Sequence, residues 1–224
     1  MSDTFPKLLL RNAKESGSDD ALREKDYGIW RTFAWRDYAD EVRRLALGLA
    51  SMGFVRGDKL GVIGDNRPRM YFAMLAAESL GGISVAVYQD SIASELGFVL
   101  EHAEVRFIIA ENEEQTDKLY GIKEKLAKVE KVIFDDTRGL ESGRDDWLIS
   151  YEAAQSLGDA YAASHSGYFE AEVAKGQGSD VAMFCYTSGT TGQPKGVMLT
   201  YDNFLTGIYA TAKAEGLIAG DEVM

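Results

Sequence analysis

The feature that most constrains the fold is a regular alternation between short apolar runs and segments whose apolar residues recur at helical spacing. The apolar runs lie at residues 60–63, 83–87, 106–110 and 131–134. The helical segments between them are about ten to fifteen residues long, which is typical of crossover connections between parallel strands. The alternation therefore predicts an α/β fold with a mostly parallel, helix-covered sheet.

The ends of two helices can be predicted from their flanking residues. The spacing predicts one helix over 92–102, beginning at the capping candidates Asp90 or Ser91, and another over 113–127. A further helix is expected after residue 202, with Thr200 and Asp202 as capping residues. These assignments place the remaining polar stretches in loops.

Charge and cysteine content exclude several classes of function. The chain has 24 Lys and Arg against 36 Asp and Glu, and no run of basic residues, so nucleic acid is not expected as a partner. A single cysteine, Cys185, excludes an internal disulfide and favours a reducing, cytoplasmic location. We expect its thiol to be buried and inert.

His102 and His165 have no companion ligands nearby, so no zinc site is expected.

Membrane insertion is not predicted. The most apolar stretch, residues 71–87, is interrupted by Glu78 and by Gly81 and Gly82, so it does not read as a transmembrane segment. The sequence leaves open a peripheral contact with a membrane.

The segment YTSGTTGQPKGV, residues 186–197, combines hydroxyl side chains, glycines and a lysine between two apolar runs. The runs at 181–186 and 196–200 predict a hairpin, and the glycines allow successive backbone N–H groups to face one anion. The alternative to an anion site is an ordinary solvent-exposed hairpin loop, since serine, threonine, glycine and proline are common in such loops. The lysine leads into a strand, unlike the lysine of the common P-loop, which opens a helix.

The residues that we predict to bind a polyphosphate are Thr187, Ser188, Gly189, Thr190, Thr191, Gly192 and Lys195.

The same segment closely resembles the signature of the adenylate-forming (AMP-binding) enzymes, which include acyl-CoA synthetases, luciferases and peptide-synthetase adenylation domains. Residues 30–68 and 76–89 also resemble this family. Residues 27–30, YGIW, and 88–119 look most like long-chain fatty acid–CoA ligases. The family commonly carries a histidine where this chain has Tyr201. From the pattern along the chain we predict a first α/β subdomain over residues 1–178. Residues 179–224 are expected to form the beginning of a second subdomain, with a second sheet.

The resemblance implies a reaction in which ATP activates a fatty acid carboxylate and coenzyme A then forms the thioester. The segment from Thr187 to Gly192 would surround the β- and γ-phosphates, Thr190 would lie near Mg²⁺, and Lys195 would add positive charge. No catalytic residue is implied in this chain, because the family's domain with the catalytic lysine is not matched.

The later family segments that hold adenine and ribose are also not matched, so we expect an N-terminal portion that does not complete adenylation alone. Detectable ATP–pyrophosphate exchange by this polypeptide would contradict that expectation. Whether the chain alone is an enzyme stays open. The alternatives are a non-catalytic nucleotide-binding or assembly module, and part of a ligase for aryl or short-chain acids.

Overall fold

The computed structural model of this chain describes residues 3–140, 145–187, 194–218 and 220–222. The first elements are α1 Phe5–Glu15, β1 Asp20–Asp26, β2 Ile29–Ala34, α2 Trp35–Ser51, β3 Lys59–Ile63, α3 Pro68–Ser79, β4 Ile83–Val87 and α4 Ala93–His102. They are followed by β5 Phe107–Ala110, α5 Glu113–Tyr120, a 3₁₀ helix Lys123–Lys125, β6 Lys131–Phe134, β7 Leu148–Ser150, α6 Tyr151–Ser164, α7 Tyr168–Lys175, β8 Val181–Thr187, β9 Lys195–Thr200 and α8 Tyr201–Glu215. Within these ranges, no helix combines the length and the apolar character that spanning a bilayer requires.

Strands β3 to β9 form one sheet in the order β7-β6-β5-β3-β4-β8-β9. Neighbours pair in parallel from β7 to β8, and β9 pairs antiparallel with β8. Ile63 lies opposite both Val87 and Ala110, and Ala110 lies opposite Phe134. The parallel strands therefore end together at one side of the sheet, which we call the carboxyl edge. The predicted α/β fold with a mostly parallel, helix-covered sheet is confirmed.

Helices cover both faces of this sheet because the strands carry apolar side chains in both directions. In β3, Leu60 and Val62 belong to the buried cluster that includes residues of α1, α2, α3, α6 and α7, whereas Ile63 belongs to the cluster that includes residues of α4 and α5. All three side chains are buried. Apolar runs without alternation are what a parallel sheet covered on both faces requires. Helices α3 and α5 follow neighbouring strands but lie on opposite faces, so the carboxyl edge between β3 and β5 is a topological switch point.

The prediction of a second sheet is wrong for the described part of the chain. β8 joins the sheet already formed, because Met183 pairs in parallel with Ser84, and Cys185 pairs with Ala86. β4 has a free edge on that side, and an apolar strand can satisfy its backbone groups there. Sequence order does not reveal which sheet edge a later strand joins. The division into subdomains 1–178 and 179–224 stays a prediction.

Strands β1 and β2 form a separate antiparallel hairpin that the sequence analysis did not assign. Its tip has positive φ at both Tyr27 (φ 46°) and Gly28 (φ 83°), the combination required by a type I′ turn. Arg67, just before α3, pairs with Asp26 at 3.2 Å and with Glu24 at 3.5 Å. These ion pairs connect the hairpin to the carboxyl edge of the sheet.

Two predicted helix boundaries differ from the observed ones. The N-cap of α4 is Ile92, which makes no side-chain cap hydrogen bond, rather than Asp90 or Ser91. Ser91 instead belongs to a turn in which its N–H donates to the carbonyl of Tyr88. α5 ends before Gly121 and the chain continues into the 3₁₀ helix, so the predicted helix over 113–127 is too long.

Helices α2 and α6 pack through a close approach of their backbones. A Cβ atom added to Gly158 would lie 2.0 Å from the carbonyl oxygen of Arg44, and one added to Gly48 would lie 2.1 Å from that of Ala154. Arg44 also pairs with Asp159 of α6 at 2.8 Å. Glycine at these positions therefore sets the distance between the two helices.

Gly158→Ala should lower the free energy of unfolding by about 2 kcal/mol, because its methyl group forces α6 away from α2. Gly207→Ala in α8 is a matched control, since a Cβ there meets no heavy atom of the described residues within 4 Å outside its own helix backbone. That control should leave stability unchanged or raise it by up to about 1 kcal/mol, because alanine favours the helix. Urea denaturation measures both changes. Equal stability of the two variants would contradict the close contact between α2 and α6.

Candidate functional site

Strand β8 brings the glycine-rich segment to the carboxyl edge of the sheet. Because β8 runs parallel to β4, its last residue, Thr187, lies at the same edge as the ends of β3, β4, β5 and β6. Open α/β sheets bind ligands outside this edge, where the loops after the parallel strands gather. The segment that follows Thr187 therefore starts where such a fold usually carries its binding site.

The hairpin register brings together the first and last of the predicted phosphate contacts. Thr187 lies opposite Lys195 across β8 and β9, and both residues are exposed. A hydroxyl and an ammonium group thus stand at the base of the loop. The other predicted contacts lie outside the described residues, and their roles stay predictions: Ser188, Gly189, Thr190, Thr191 and Gly192.

Lys195 differs from other basic residues at the carboxyl edge in its charge environment. No described acidic side chain lies within ion-pair distance of its ammonium group. Lysine carries a compact charge with three donors on a long stem, which suits contact with phosphate oxygens. With respect to the described residues, Lys195 is therefore available to an anion.

A charged cleft of about 740 Å³ lies between the carboxyl edge and the β1–β2 hairpin. Its arginines face carboxylates: Arg69 pairs with Asp135 and, at 2.8 Å, with Glu152. Arg67 pairs with Asp26, as described above. Burial raises the pKa of Asp135, and the nearby Arg69 opposes that shift. Because its arginines already have anionic partners, the cleft attracts a further anion less than its arginine content suggests.

The end of the hairpin is fixed by a helix cap. Thr200 Oγ1 accepts a hydrogen bond from the backbone N–H of Asn203 at 3.2 Å, and Asn203 Oδ1 accepts one from the Thr200 N–H at 3.0 Å. This reciprocal pair satisfies two backbone donors at the start of α8. The prediction that Thr200 caps α8 is confirmed, whereas Asp202 lies in the first turn and is not the N-cap.

A buried carboxyl group contacts the first residue of α8. Glu78 is 5% exposed, and its Oε1 accepts a hydrogen bond from Ser84 Oγ at 3.0 Å. Burial raises the pKa of Glu78 to about 8. Burial, and then the nearby Glu78 carboxyl, raise the pKa of Tyr201. Tyr201 also packs edge-on against Phe5, with ring centroids 5.4 Å apart, so it is a core residue in this chain.

Sequence reasoning missed a contact between α4 and the hairpin. His102 Nδ1 and Tyr186 Oη are hydrogen-bonded at 2.7 Å. The two residues are 84 positions apart, so no local pattern could pair them. The sequence analysis weighs His102 only as a zinc ligand, and expects no zinc site. The motif residue before Thr187 thus has a specific partner outside the hairpin.

The remaining candidate groups make ordinary structural contacts. Cys185 is half-buried, and burial raises the pKa of its thiol, which disfavours the reactive thiolate. His165 stacks on Tyr161 with ring centroids 3.7 Å apart. In the described parts of the chain, no group of three or more His, Cys, Asp or Glu residues is placed to hold a metal ion.

A family model described as AMP-binding enzyme matches residues 9–224. The chain belongs to this family. The resemblance to adenylate-forming enzymes inferred from residues 186–197 is therefore confirmed over almost the whole chain.

Curated relatives within the family are long-chain-fatty-acid–CoA ligases. The chain is 30% identical to the ligase ACSBG2 of Rattus norvegicus over 96% of its own length, and 27% identical to FadD15 of Mycobacterium tuberculosis over 80%. It spans 32% of the first relative and 28% of the second. The chain therefore corresponds to about a third of these proteins.

Solved structures of ligases share the fold of this chain. The anthranilate CoA ligase AuaEII, solved with anthranoyl-AMP, matches with a TM-score of 0.76 at 19% identity, covering 94% of this chain and 37% of that one. A putative long-chain-fatty-acid CoA ligase from Rhodopseudomonas palustris matches with a TM-score of 0.75 at 20% identity, covering 98% and 50%. At these identities the likeness supports the fold alone.

Glu78→Gln should alter how stability depends on pH. The folded chain holds the Glu78 proton more tightly than the unfolded chain does, so its stabilising contribution is complete below about pH 4 and is lost as the pH rises through about 8. Glutamine does not ionise, so the variant keeps its stability as the pH rises through this range. The variant should match wild type near pH 4 and exceed its free energy of unfolding by on the order of 3 kcal/mol at pH 7.

Urea denaturation at several pH values measures this difference, and Glu101→Gln, an exposed change in α4, is the control. The control should differ little from wild type throughout this range. A stability difference between Glu78→Gln and wild type that does not change with pH would contradict the buried, protonated carboxyl.

Proposed function

We propose that this chain supplies the ATP phosphate-binding hairpin of an AMP-forming ligase that joins a long-chain fatty acid to coenzyme A. The observation that carries the proposal is the position of Thr187 and Lys195, paired at the carboxyl edge within a family of AMP-binding enzymes. The names of the curated relatives support the choice of a long-chain fatty acid as substrate.

The proposed reaction proceeds in two substitutions. A carboxylate oxygen of the fatty acid attacks the α-phosphorus of ATP, and the bond to the bridging oxygen breaks, giving acyl-adenylate and pyrophosphate. The sulfur of coenzyme A then attacks the acyl carbon, loses its proton and displaces AMP, giving the thioester. In the first step the enzyme must mainly hold the reactants in line and neutralise the charge on the leaving group.

Within this proposal, the hairpin holds the leaving pyrophosphate. Lys195 contributes a positive charge to the β- and γ-phosphates, and Thr187 donates its hydroxyl at the other side of the loop. The predicted contacts from Ser188 to Gly192 complete the cradle with hydroxyl and backbone N–H donors. No step is assigned to a catalytic residue of this chain.

The donor groups at the hairpin suit a Mg²⁺ ion that arrives with the nucleotide. Mg²⁺ keeps several waters and commonly binds through substrate phosphates with one or two protein oxygens. The described residues offer no carboxylate cluster that would hold the ion without a phosphate. We assign the protein oxygen to the hydroxyl of Thr190. When bound, the ion would neutralise charge on the phosphate oxygens.

Two further assignments belong to this proposal. We place the protein in the cytoplasm because its single cysteine, Cys185, fits a reducing compartment, with peripheral membrane contact left open. We also retain the boundary between subdomains 1–178 and 179–224, although the sheet continues across it.

Lys195→Ala should weaken binding of Mg-ATP and of Mg-pyrophosphate by about ten-fold or more, because it removes a charge-assisted contact to phosphate. Isothermal titration calorimetry on this chain measures both affinities. Lys213→Ala is the matched control, since Lys213 is an exposed lysine in the last turn of α8. The control should bind both ligands like wild type.

The possible outcomes separate the parts of the proposal. Equal affinity of Lys195→Ala and wild type would contradict the assigned role of the lysine. Absence of binding by wild type would instead favour a non-catalytic module, and a complete ligase that prefers aryl or short-chain acids would overturn the choice of substrate.

A further inference from the structure

The hairpin extends beyond its pairing with the rest of the sheet. β8 pairs with β4 as far as Cys185, opposite Ala86. The next two residues, Tyr186 and Thr187, continue β8 and pair with Gly196 and Lys195 of β9. The end of the hairpin that carries the proposed phosphate contacts therefore projects past the last backbone pairing that β4 provides.

Tyr186 connects this projecting end to helix α4. Its hydroxyl oxygen lies 2.7 Å from Nδ1 of His102, and the two rings meet edge to face with centroids 5.8 Å apart. The hydroxyl donates to Nδ1 in one imidazole tautomer and accepts from Nδ1–H in the other, so both tautomers allow the bond. The His102 ring also stacks on Phe98, one turn earlier in α4, with centroids 5.5 Å apart.

On its other side, the Tyr186 ring lies against the facing strand, β9. Gly196 lies opposite Tyr186, and a Cβ atom added to Gly196 would lie 3.1 Å from the ring carbon that bears the hydroxyl. The missing side chain thus leaves room for the aromatic ring to lie across β9. Tyr186 is half-buried, with burial raising its pKa, whereas Thr187 and Lys195 beside it are exposed. The ring is therefore held between α4 and the Gly196 backbone.

We propose that His102 and Tyr186 are positioning residues that hold the phosphate-binding hairpin against α4. We call their hydrogen-bonded pair the His102–Tyr186 tether. It holds the backbone one residue before Thr187 and directly opposite Gly196, so it determines the positions of Thr187 and Lys195 at the two ends of the loop. The proposal rests on the proposed function, because it assigns the tether to the site that binds the ATP phosphates.

The tether works by limiting motion of the hairpin end. When the bond is absent, Tyr186 and Thr187 retain their pairing with β9, but the two strands can move together away from α4. The binding-competent position of the hairpin end is then a smaller fraction of the positions it occupies, which lowers the apparent affinity for a phosphate ligand. One neutral hydrogen bond at a partly exposed site supports an effect of about five-fold on the dissociation constant.

The first experiment measures Mg-pyrophosphate affinity by calorimetry in three variants. Tyr186→Phe removes the hydroxyl and keeps the ring, while His102→Phe removes the nitrogen and keeps a ring beside Phe98. Each should weaken binding about five-fold, and the double variant should be no weaker than either single variant, because both remove the same bond. His102→Asn, whose amide can take the place of Nδ1, should restore affinity to within about two-fold of wild type.

The second experiment reports on the hairpin without any ligand. Trypsin cleaves after Lys195, and the rate at which the fragment beginning at Gly196 forms can be followed by mass spectrometry. Tyr186→Phe and His102→Phe should each accelerate this cleavage several-fold, because the hairpin end opens more often. Thr116→Val is the control: it removes a hydroxyl hydrogen bond in α5 and should leave cleavage at Lys195 unchanged.

The outcomes separate the tether from the function on which it depends. Faster cleavage in the two variants, with no pyrophosphate binding by wild type, would support the tether and refute the phosphate site. Normal binding by wild type and equal binding by all variants would refute the tether. Additive losses in the double variant, or acceleration in Thr116→Val equal to that in Tyr186→Phe, would also refute it, since either would indicate general destabilisation.

Discussion

The parallel pairing of β8 with β4 is the contact on which the position of the proposed phosphate-binding hairpin depends. Met183 and Cys185 pair with Ser84 and Ala86, and this direction brings the end of β8 to the carboxyl edge, beside the end of β4 and on the same side of the sheet as the ends of β3 and β5. An antiparallel β8 would have sent the glycine-rich loop to the opposite side of the sheet. The antiparallel return through β9 then places Lys195 across from the start of the loop.

The distribution of charge along the carboxyl edge favours the hairpin over the larger cleft as an anion site. In the cleft, Arg67 and Arg69 are paired with carboxylates that would have to be displaced or desolvated before an anion could bind. Lys195 has no such partner among the described residues. The proposed phosphate site therefore does not conflict with the net charge of −12, because the charge around Lys195 differs from that of the chain as a whole. The charged cleft and the proposed anion site therefore lie at different places along the carboxyl edge.

The sequence predicted the features that depend on local patterns. Alternating periodicities predicted the α/β class, and the family could be recognised because the residues of the motif at 186–197 are continuous along the chain. Features that depend on distant pairing could not be predicted. The sheet edge that accepts β8, and the bond between His102 and Tyr186, join residues far apart in sequence. The helix predicted over 113–127 ends at Tyr120: Gly121 keeps right-handed helical dihedrals, but the backbone leaves them at Ile122 (φ −124°, ψ 10°), before the 3₁₀ helix.

Hydrogen–deuterium exchange of this chain with and without Mg-pyrophosphate decides between the hairpin and the charged cleft, because it reports where the ligand binds. If the hairpin binds the phosphates, exchange should slow in peptides covering residues 186–196 and change little around Arg67, Arg69 and Asp135. Protection confined to the cleft that contains those three residues would contradict the assignment of the phosphate site to the hairpin. Saturating ligand that protects neither region would contradict phosphate binding by this chain altogether.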